Sequence, residues 1–291
     1  MKLLYFPGCA LKNYAKRYEK SALAVGEHLG INLIELRRWN CCGVVYGLAS
    51  DSLFHHIAAV RNLIRAQEQI NEADEETLVT LCSMCYQVLA SVNHRLSNDP
   101  AALETLNQFM DEEENYLGTI QVTHFAKILR DYVGFDKISE KVKRPLNGFN
   151  VAPYYGCMLV RPKEVAIDDP EEPTILEGLI SSLGANPIDF PFRTECCGSY
   201  NVVSNKEVVK VRISRLVSPL LRNSADIIIT VCPLCTFNLE YGMNLASREL
   251  HGKKIPVLYF TELIAYALGL DDALDKDILN ILNNLREMKK E

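Results

Sequence analysis

Thr194-Glu195-Cys196-Cys197-Gly198 has a counterpart in Trp39-Asn40-Cys41-Cys42-Gly43, and the rest of the chain falls into order around this pair. Neighbouring side chains on an extended strand point to opposite faces. Two adjacent cysteines therefore reach one centre only where the chain bends, and the glycine that follows each pair permits such a bend. The two bends mark the centres of two equivalent sites.

The other cysteines extend the equivalence. Cys9, Cys41, Cys42, Cys82 and Cys85 fill the first half, Cys157, Cys196, Cys197, Cys232 and Cys235 the second, and these are all 10 cysteines of the 291 residues. The order is C-x31-C-C-x39-C-x2-C, then C-x38-C-C-x34-C-x2-C. One C-x-x-C is a weak signal, whereas two copies of a five-cysteine order are a strong one.

Composition narrows what this sulfur can do. Apolar residues at 48% and charged residues at 23% describe a soluble globular chain long enough for two domains. The net charge of -6 argues against nucleic acid, whose binding surfaces are basic. Apolar runs such as residues 225–231 fall far short of the roughly 20 residues that span a bilayer. The start, Met1 to Cys9, is too short in apolar residues for a secretory signal and runs straight into a cysteine motif, so the chain reads as cytoplasmic. Thiols stay reduced in that compartment, which leaves metal or redox work for them rather than a disulfide framework.

Strand and helix patterns alternate through both halves. Strand-like runs at residues 2–6, 31–36, 78–81 and 119–123 alternate with helical spacing over 12–29, 52–70 and 86–96, and residues 99–115 are polar, helical and acidic. The second half repeats the scheme, with strands at 149–155 and 226–231, a chain entry to the Cys-Cys pair at 186–190, and helices at 174–183 and 206–222. Residues 257–264 resemble 122–129, and a charged amphipathic helix at 270–291 ends the chain. Such alternation predicts an α/β fold with a small parallel sheet flanked by helices in each half. Ligands of open parallel sheets gather at the carboxyl ends of the strands. Cys9, Cys82, Cys157 and Cys232 each follow a strand directly, so the thiols of each half converge on one edge.

Structural zinc closes with four ligands, and so does an ordinary cubane cluster. Five thiols per half point to an iron-sulfur centre of unusual nuclearity, or to a four-ligand cluster with one cysteine kept for redox use. A structural zinc module and a thioredoxin-like use of Cys82-Cys85 or Cys232-Cys235 are the competing readings, and the latter leaves six cysteines idle. No ferredoxin-type C-x2-C-x2-C-x3-C-P run is present, so electrons must come from a partner.

The duplicated order, both Cys-Cys-Gly triplets and both C-x-x-C pairs resemble the CCG-domain proteins, in particular the B subunits of heterodisulfide reductase. The resemblance runs from Tyr5-Phe6-Pro7-Gly8-Cys9 through Tyr155-Gly156-Cys157-Met158 to Cys232-Pro233-Leu234-Cys235. It implies an internal duplication of two CCG domains, residues 1–145 and residues 146–291 with the C-terminal helix. It further implies two noncubane [4Fe-4S] clusters, one held by Cys9, Cys41, Cys42, Cys82 and Cys85, the other by Cys157, Cys196, Cys197, Cys232 and Cys235. A small-molecule disulfide such as CoM-S-S-CoB would lie between them and take one electron from each. The partners implied are a ferredoxin-like C subunit and a flavin-containing A subunit. A relay or adaptor subunit of a quinone-linked oxidoreductase of succinate, lactate or glycolate is the alternative within the same family.

Arg161, Lys163 and Lys12, with Lys16 and Arg17, follow the first cysteine of each half and are candidates to meet an anionic substrate, against the plainer reading of solvated surface charge. His55 and His56 follow the first Cys-Cys-Gly and are candidate proton donors, against ordinary helix-surface histidines. Trp39 reads as a shield or packing partner of the first site, and His124, whose repeat counterpart is Tyr259, as packing.

Overall fold

The computed structural model describes residues 1–44 and 52–289. Among these, each half forms a four-stranded parallel sheet. In the first, β1 (Lys2–Phe6), β2 (Asn32–Glu35), β3 (Thr77–Thr80) and β4 (Gln121–His124) run in the order β2-β1-β3-β4. In the second, β5 (Asn150–Tyr154), β6 (Asn186–Pro187), β7 (Ile227–Thr230) and β8 (Val257–Tyr259) run in the order β6-β5-β7-β8. The strands at the middle of each sheet are covered by helices on both faces. Leu78 and Val79 of β3 and Ile227 to Ile229 of β7 are accordingly buried without alternation.

Strand order decides where the cysteines go. Cys41-Cys42, Cys9 and Cys82 follow β2, β1 and β3, three neighbours in the sheet, and Cys196-Cys197, Cys157 and Cys232 follow β6, β5 and β7. All strands are parallel, so each set emerges at a single edge.

Several elements differ from their sequence patterns, three of them near a cysteine. The pattern over 12–29 is broken into a short helix Gly8–Lys12 and a longer Lys16–His28, with the Asn13 side chain donating to the Cys9 carbonyl at 2.9 Å across the break. The helix expected at 86–96 runs over Ser83–Asn98, with Cys82 as its N-cap, so Cys85 sits in the first turn. The stretch 52–70 opens as a 3-10 turn, Leu53–His56, before the helix Ile57–Glu68. The terminal helix spans Lys276–Met288 and buries Ile278 and Leu282; residues 290 and 291 lie outside the described residues.

The halves meet along the helices Lys16–His28 and Phe260–Leu268. Tyr18 stacks on Tyr259 with ring centroids 4.1 Å apart, and Ser21 Oγ lies 2.7 Å from Thr261 Oγ1. Ser83 donates its N–H and its hydroxyl to the Val231 carbonyl, at 3.2 and 2.9 Å. These contacts lie beside the cysteine-bearing edges, so the two edges face one another. Among the described residues no helix is long and apolar enough to cross a membrane.

Candidate metal centre

Backbone geometry at the two edges repeats closely. Gly8 and Gly156 precede the first cysteine of each half at φ +70° and +66°, and a Cβ at either would lie 3.0 Å from a thiol, Cys85 Sγ in one case and Cys235 Sγ in the other. Only glycine combines that backbone with so close an approach of sulfur. The glycines of the triplets, Gly43 and Gly198, take φ +90° and +83°, which supplies the bend that the adjacent cysteines need.

The ten thiols form one continuous strip. Cys9 Sγ lies 3.8 Å from Cys41 Sγ. From there the contacts run through Cys42, Cys85 and Cys82 to Cys232, then through Cys235, Cys197 and Cys196 to Cys157. Cys82 to Cys232 is the step between the halves. Six of the ten are buried, Cys42, Cys82, Cys85, Cys197, Cys232 and Cys235.

Ionisation along the strip is uneven because neighbouring thiolates repel. Cys42 is held down to about 4 by hydrogen bonds from Cys41 and Cys85, and Cys196 to about 2 by bonds from Cys157 and Cys197. Cys232 is also lowered, by Cys235 and Cys82. Their donors are pushed up, Cys197 to about 12, and Cys41, Cys82, Cys85, Cys157 and Cys235 upward as well. Ionisation of one thiol in each group thus holds back that of its neighbours.

This donor set fits iron and sulfide. Soft thiolates select iron-sulfur centres, and cationic metal allows thiols that repel one another as anions to deprotonate together. Among the described residues no three His, Cys, Asp or Glu groups converge on one point as ligands of a single ion do. A strip of sulfurs instead suits a centre whose ligands are shared among several metal atoms. A small cavity of about 20 Å³ opens on the strip, lined by five second-half thiols together with Met84, Met158, Leu234, Tyr155 and Tyr200 and bounded from the first half also by Ser83. The Tyr200 hydroxyl points to Met84 Sδ at 3.7 Å, closing it across the boundary.

The other candidates distribute unevenly. Arg161 and Lys163 line an open cleft that reaches Cys157 and Met158 and includes Gln87 of the first half. Arg161 is bound to the Thr194 carbonyl at 2.9 Å and to Glu171 at 2.8 Å, whereas Lys163 forms no salt bridge among the described residues. Lys12 is held between Glu19 at 2.7 Å and Glu35 at 2.6 Å, so its charge is matched within the first half. Arg17 likewise is engaged by Glu262 and Glu240. His56 is buried rather than on a helix surface, with Nε2 3.2 Å from Arg95. Burial and Arg95 both lower its proton affinity, and Arg95 is 10 residues beyond Cys85, about 15 Å along the helix. Its burial departs from the reading of an ordinary helix-surface histidine. Trp39 packs edge-on against Phe6 at 6.1 Å. His124 pairs with Thr80 in the sheet as Tyr259 pairs with Thr230; it donates from Nε2 to the Leu81 carbonyl and accepts the Ala126 N–H.

Arg212, Tyr200 and Met84 carry no motif and escape a reading by cysteine spacing. Arg212 stands out only when the two halves are aligned on their Cys-Cys-Gly bends and the following helices compared.

Two parallel sheets that each deliver five thiols to a shared edge define a duplicated cysteine-rich protein. The chain belongs to the CCG, or cysteine-rich domain, family, which matches it twice, at residues 3–90 and 151–240, and the two matches include all ten cysteines. It is 32% identical over 91% of its length, and 92% of the relative's, to the 8-methylmenaquinol:fumarate reductase membrane anchor subunit of Wolinella succinogenes. It is 30% identical over 92% of its length, and 89% of the relative's, to the B subunit of the ferredoxin/F(420)H(2)-dependent CoB-CoM heterodisulfide reductase of Methanosarcina acetivorans. An Archaeoglobus profundus protein named for its likeness to the heterodisulfide reductase B subunit is 29% identical over 91% of this chain and 90% of its own. A crystal structure of a hypothetical protein from Helicobacter pylori shares the fold, with a TM-score of 0.70 and 15% identity over 95% of this chain, which spans 50% of that one.

Proposed function

We propose that this chain is the subunit in which a heterodisulfide reductase-type complex reduces a disulfide, at two noncubane [4Fe-4S] centres. Cys9, Cys41, Cys42, Cys82 and Cys85 hold one, and Cys157, Cys196, Cys197, Cys232 and Cys235 the other, on two domains that divide near Pro145. The observation that carries this reading is the contact of Cys82 with Cys232, which joins two complete five-thiol sets into one strip beside a sulfur-lined cavity. When bound, such centres supply single electrons, and two of them open an S–S bond. The protein's own part is to hold the thiols at the strand ends, to keep water from the buried ones, and to bound the cavity with Met84, Met158 and Tyr200. The cleft carrying Lys163 and Arg161 leads from solvent to Cys157 and is the proposed way in for the substrate. A ferredoxin-like C subunit and a flavin-containing A subunit are the proposed electron suppliers, in the cytoplasm.

Relay in a quinol-linked complex is the second reading, favoured by the relative named as an 8-methylmenaquinol:fumarate reductase subunit. The test uses the full chain, reconstituted anaerobically and supplied with a reduced viologen dye. Thiol release from CoM-S-S-CoB, oxidised glutathione or another small disulfide, with matching dye oxidation, is the expected result. Inertness toward every disulfide, together with electron exchange with a menaquinol analogue in the assembled complex, would instead establish the relay. Two zincs per chain in place of about eight irons with acid-labile sulfide would end both readings.

A further inference from the structure

The two halves repeat their thiols but not their charges. A Cβ added at Gly198 would lie 3.3 Å from Cδ of Arg212, whereas one added at its repeat partner Gly43 would lie 3.4 Å from Cβ of Ala58. Both neighbours come from the helix after the bend, Lys206–Arg222 in the second half and Ile57–Glu68 in the first. One place in the repeat is thus filled by the stem of a guanidinium and, in the other half, by a methyl group.

The residue before each cysteine pair differs in the same sense. Glu195 is bound by Arg215 at 3.0 Å, with Arg212 3.8 Å from its other oxygen, and Arg215 also lies over the Phe192 ring at 4.7 Å. One carboxylate faces two guanidinium groups, which leaves a positive charge in excess beside Cys196. In the first half the neutral Asn40 stands in that place. Its backbone N–H donates to Asn62 Oδ1, and its own Oδ1 accepts from Arg65 at 2.7 Å. Arg65 therefore reaches the first site only through an amide, and it shares Glu113 with Arg61, at 3.9 and 3.3 Å, so what distinguishes the second half is the direct approach of Arg212 to the bend rather than the count of charges. Residues 45–51 contain no Lys or Arg in sequence. The glycine donors, by contrast, are matched: the Gly198 N–H points to Cys196 Sγ at 3.3 Å, and the Gly43 N–H serves Cys41.

Positive charge beside an iron-sulfur centre favours its reduced, more negative state, because net charge and local field help to set its potential. We infer that Arg212 gives the second-half centre the higher reduction potential, so that a single electron entering the chain rests in the second half and the first half is the stronger reductant. This rests on reading both thiol sets as redox centres. Arg212 is 45% exposed, so its influence is screened and the difference between the halves narrows as salt is raised.

The experiment is a potentiometric titration of the reconstituted full chain followed by electron paramagnetic resonance, with signals assigned to the halves through Cys42→Ala and Cys197→Ala. A higher midpoint for the second-half signal is expected in the unaltered chain. Arg212→Gln should lower that midpoint alone, Arg212→Lys should keep most of it, and Ala58→Arg should raise the first-half midpoint alone. Equal or reversed midpoints in the unaltered chain, or an Arg212→Gln variant that moves both signals or neither, would overturn the inference. A chain with two separated midpoints that reduces no disulfide leaves the inference standing and removes the proposed substrate class. A chain with no iron-sulfur signal removes both.

Discussion

Cys82 and Cys232 are repeat partners that lie side by side: each is the N-cap of the helix that carries the second cysteine of its C-x-x-C, and each shifts the ionisation of the other across the boundary. The pair lies where Ser83 crosses to the Val231 carbonyl, so backbone and sulfur contacts pass the boundary together. Disturbance at one of these sulfurs is therefore felt in both halves, while disturbance farther out along the strip is not.

Replacing Cys197 with Ala is expected to remove or alter the spectrum of the second-half centre and leave the first largely intact. Cys232→Ala is expected to change the second strongly and the first detectably, through Cys82. Absorption and magnetic resonance spectra of the two variants decide the matter, and equal loss of both spectra in Cys197→Ala would show that the sites are not independent.

Gly156→Ala puts a methyl group 3.0 Å from Cys235 Sγ on a backbone at φ +66°. The positive φ alone costs roughly 1 kcal/mol for alanine. Gly252 has φ +72° with nothing within 4 Å of an added Cβ, so Gly252→Ala carries the backbone cost without the sulfur contact. Both variants are expected to lower the melting temperature by a few degrees, and Gly156→Ala alone to lose iron from the second half. Equal iron content would mean that the close approach to Cys235 is not needed.

Assembly of the centres must deprotonate thiols that the strip holds as donors. Cys41, Cys85, Cys82, Cys235, Cys197 and Cys157 are all raised by the partners they donate to and by burial, so they give up protons only to metal. Reconstitution in weak buffer is expected to release several protons per chain and to become more favourable as pH rises. Release of none would mean that these thiols are not ligands.

The duplication, the parallel sheets and the convergence of cysteines were all legible in the sequence, because strand period, closing glycines such as Gly30 and Gly184, and cysteine order are local signals. What joined the halves was not. Tyr18 and Tyr259, Arg17 and Glu262, and Cys82 and Cys232 are brought together by helix packing between domains, and no spacing rule relates residues that lie 241, 245 or 150 positions apart in the chain. Lys12 and His56 show the same limit. Each lies near a cysteine in sequence, yet Glu35 from β2 takes one and Arg95 from the helix Ser83–Asn98 takes the other.

Glu262 provides the last prediction. Its carboxylate is wholly buried, accepts from Arg17 Nη1 at 2.9 and 2.7 Å and from the Tyr259 N–H at 2.8 Å, and caps the helix Phe260–Leu268. Burial raises its pKa to about 7 against the pull of Arg17. An unfolded glutamate titrates near 4.3, so between these values the folded chain binds a proton that the unfolded chain does not. The stability this group contributes is complete below about pH 4.3 and is lost as pH rises through about 7. His124 acts in the opposite sense, since burial holds its pKa at about 4, and its contribution is lost as pH falls below the free value of about 6.5. The two slopes overlap and largely cancel in the unaltered chain, so its own pH profile is uninformative. Comparison with Glu262→Gln isolates the carboxyl. Relative to that variant the unaltered chain is expected to lose about 2–3 kcal/mol between pH 4.5 and 8, measured by denaturant unfolding. A relative gain over the same range would show that Arg17 outweighs burial and holds Glu262 ionised throughout.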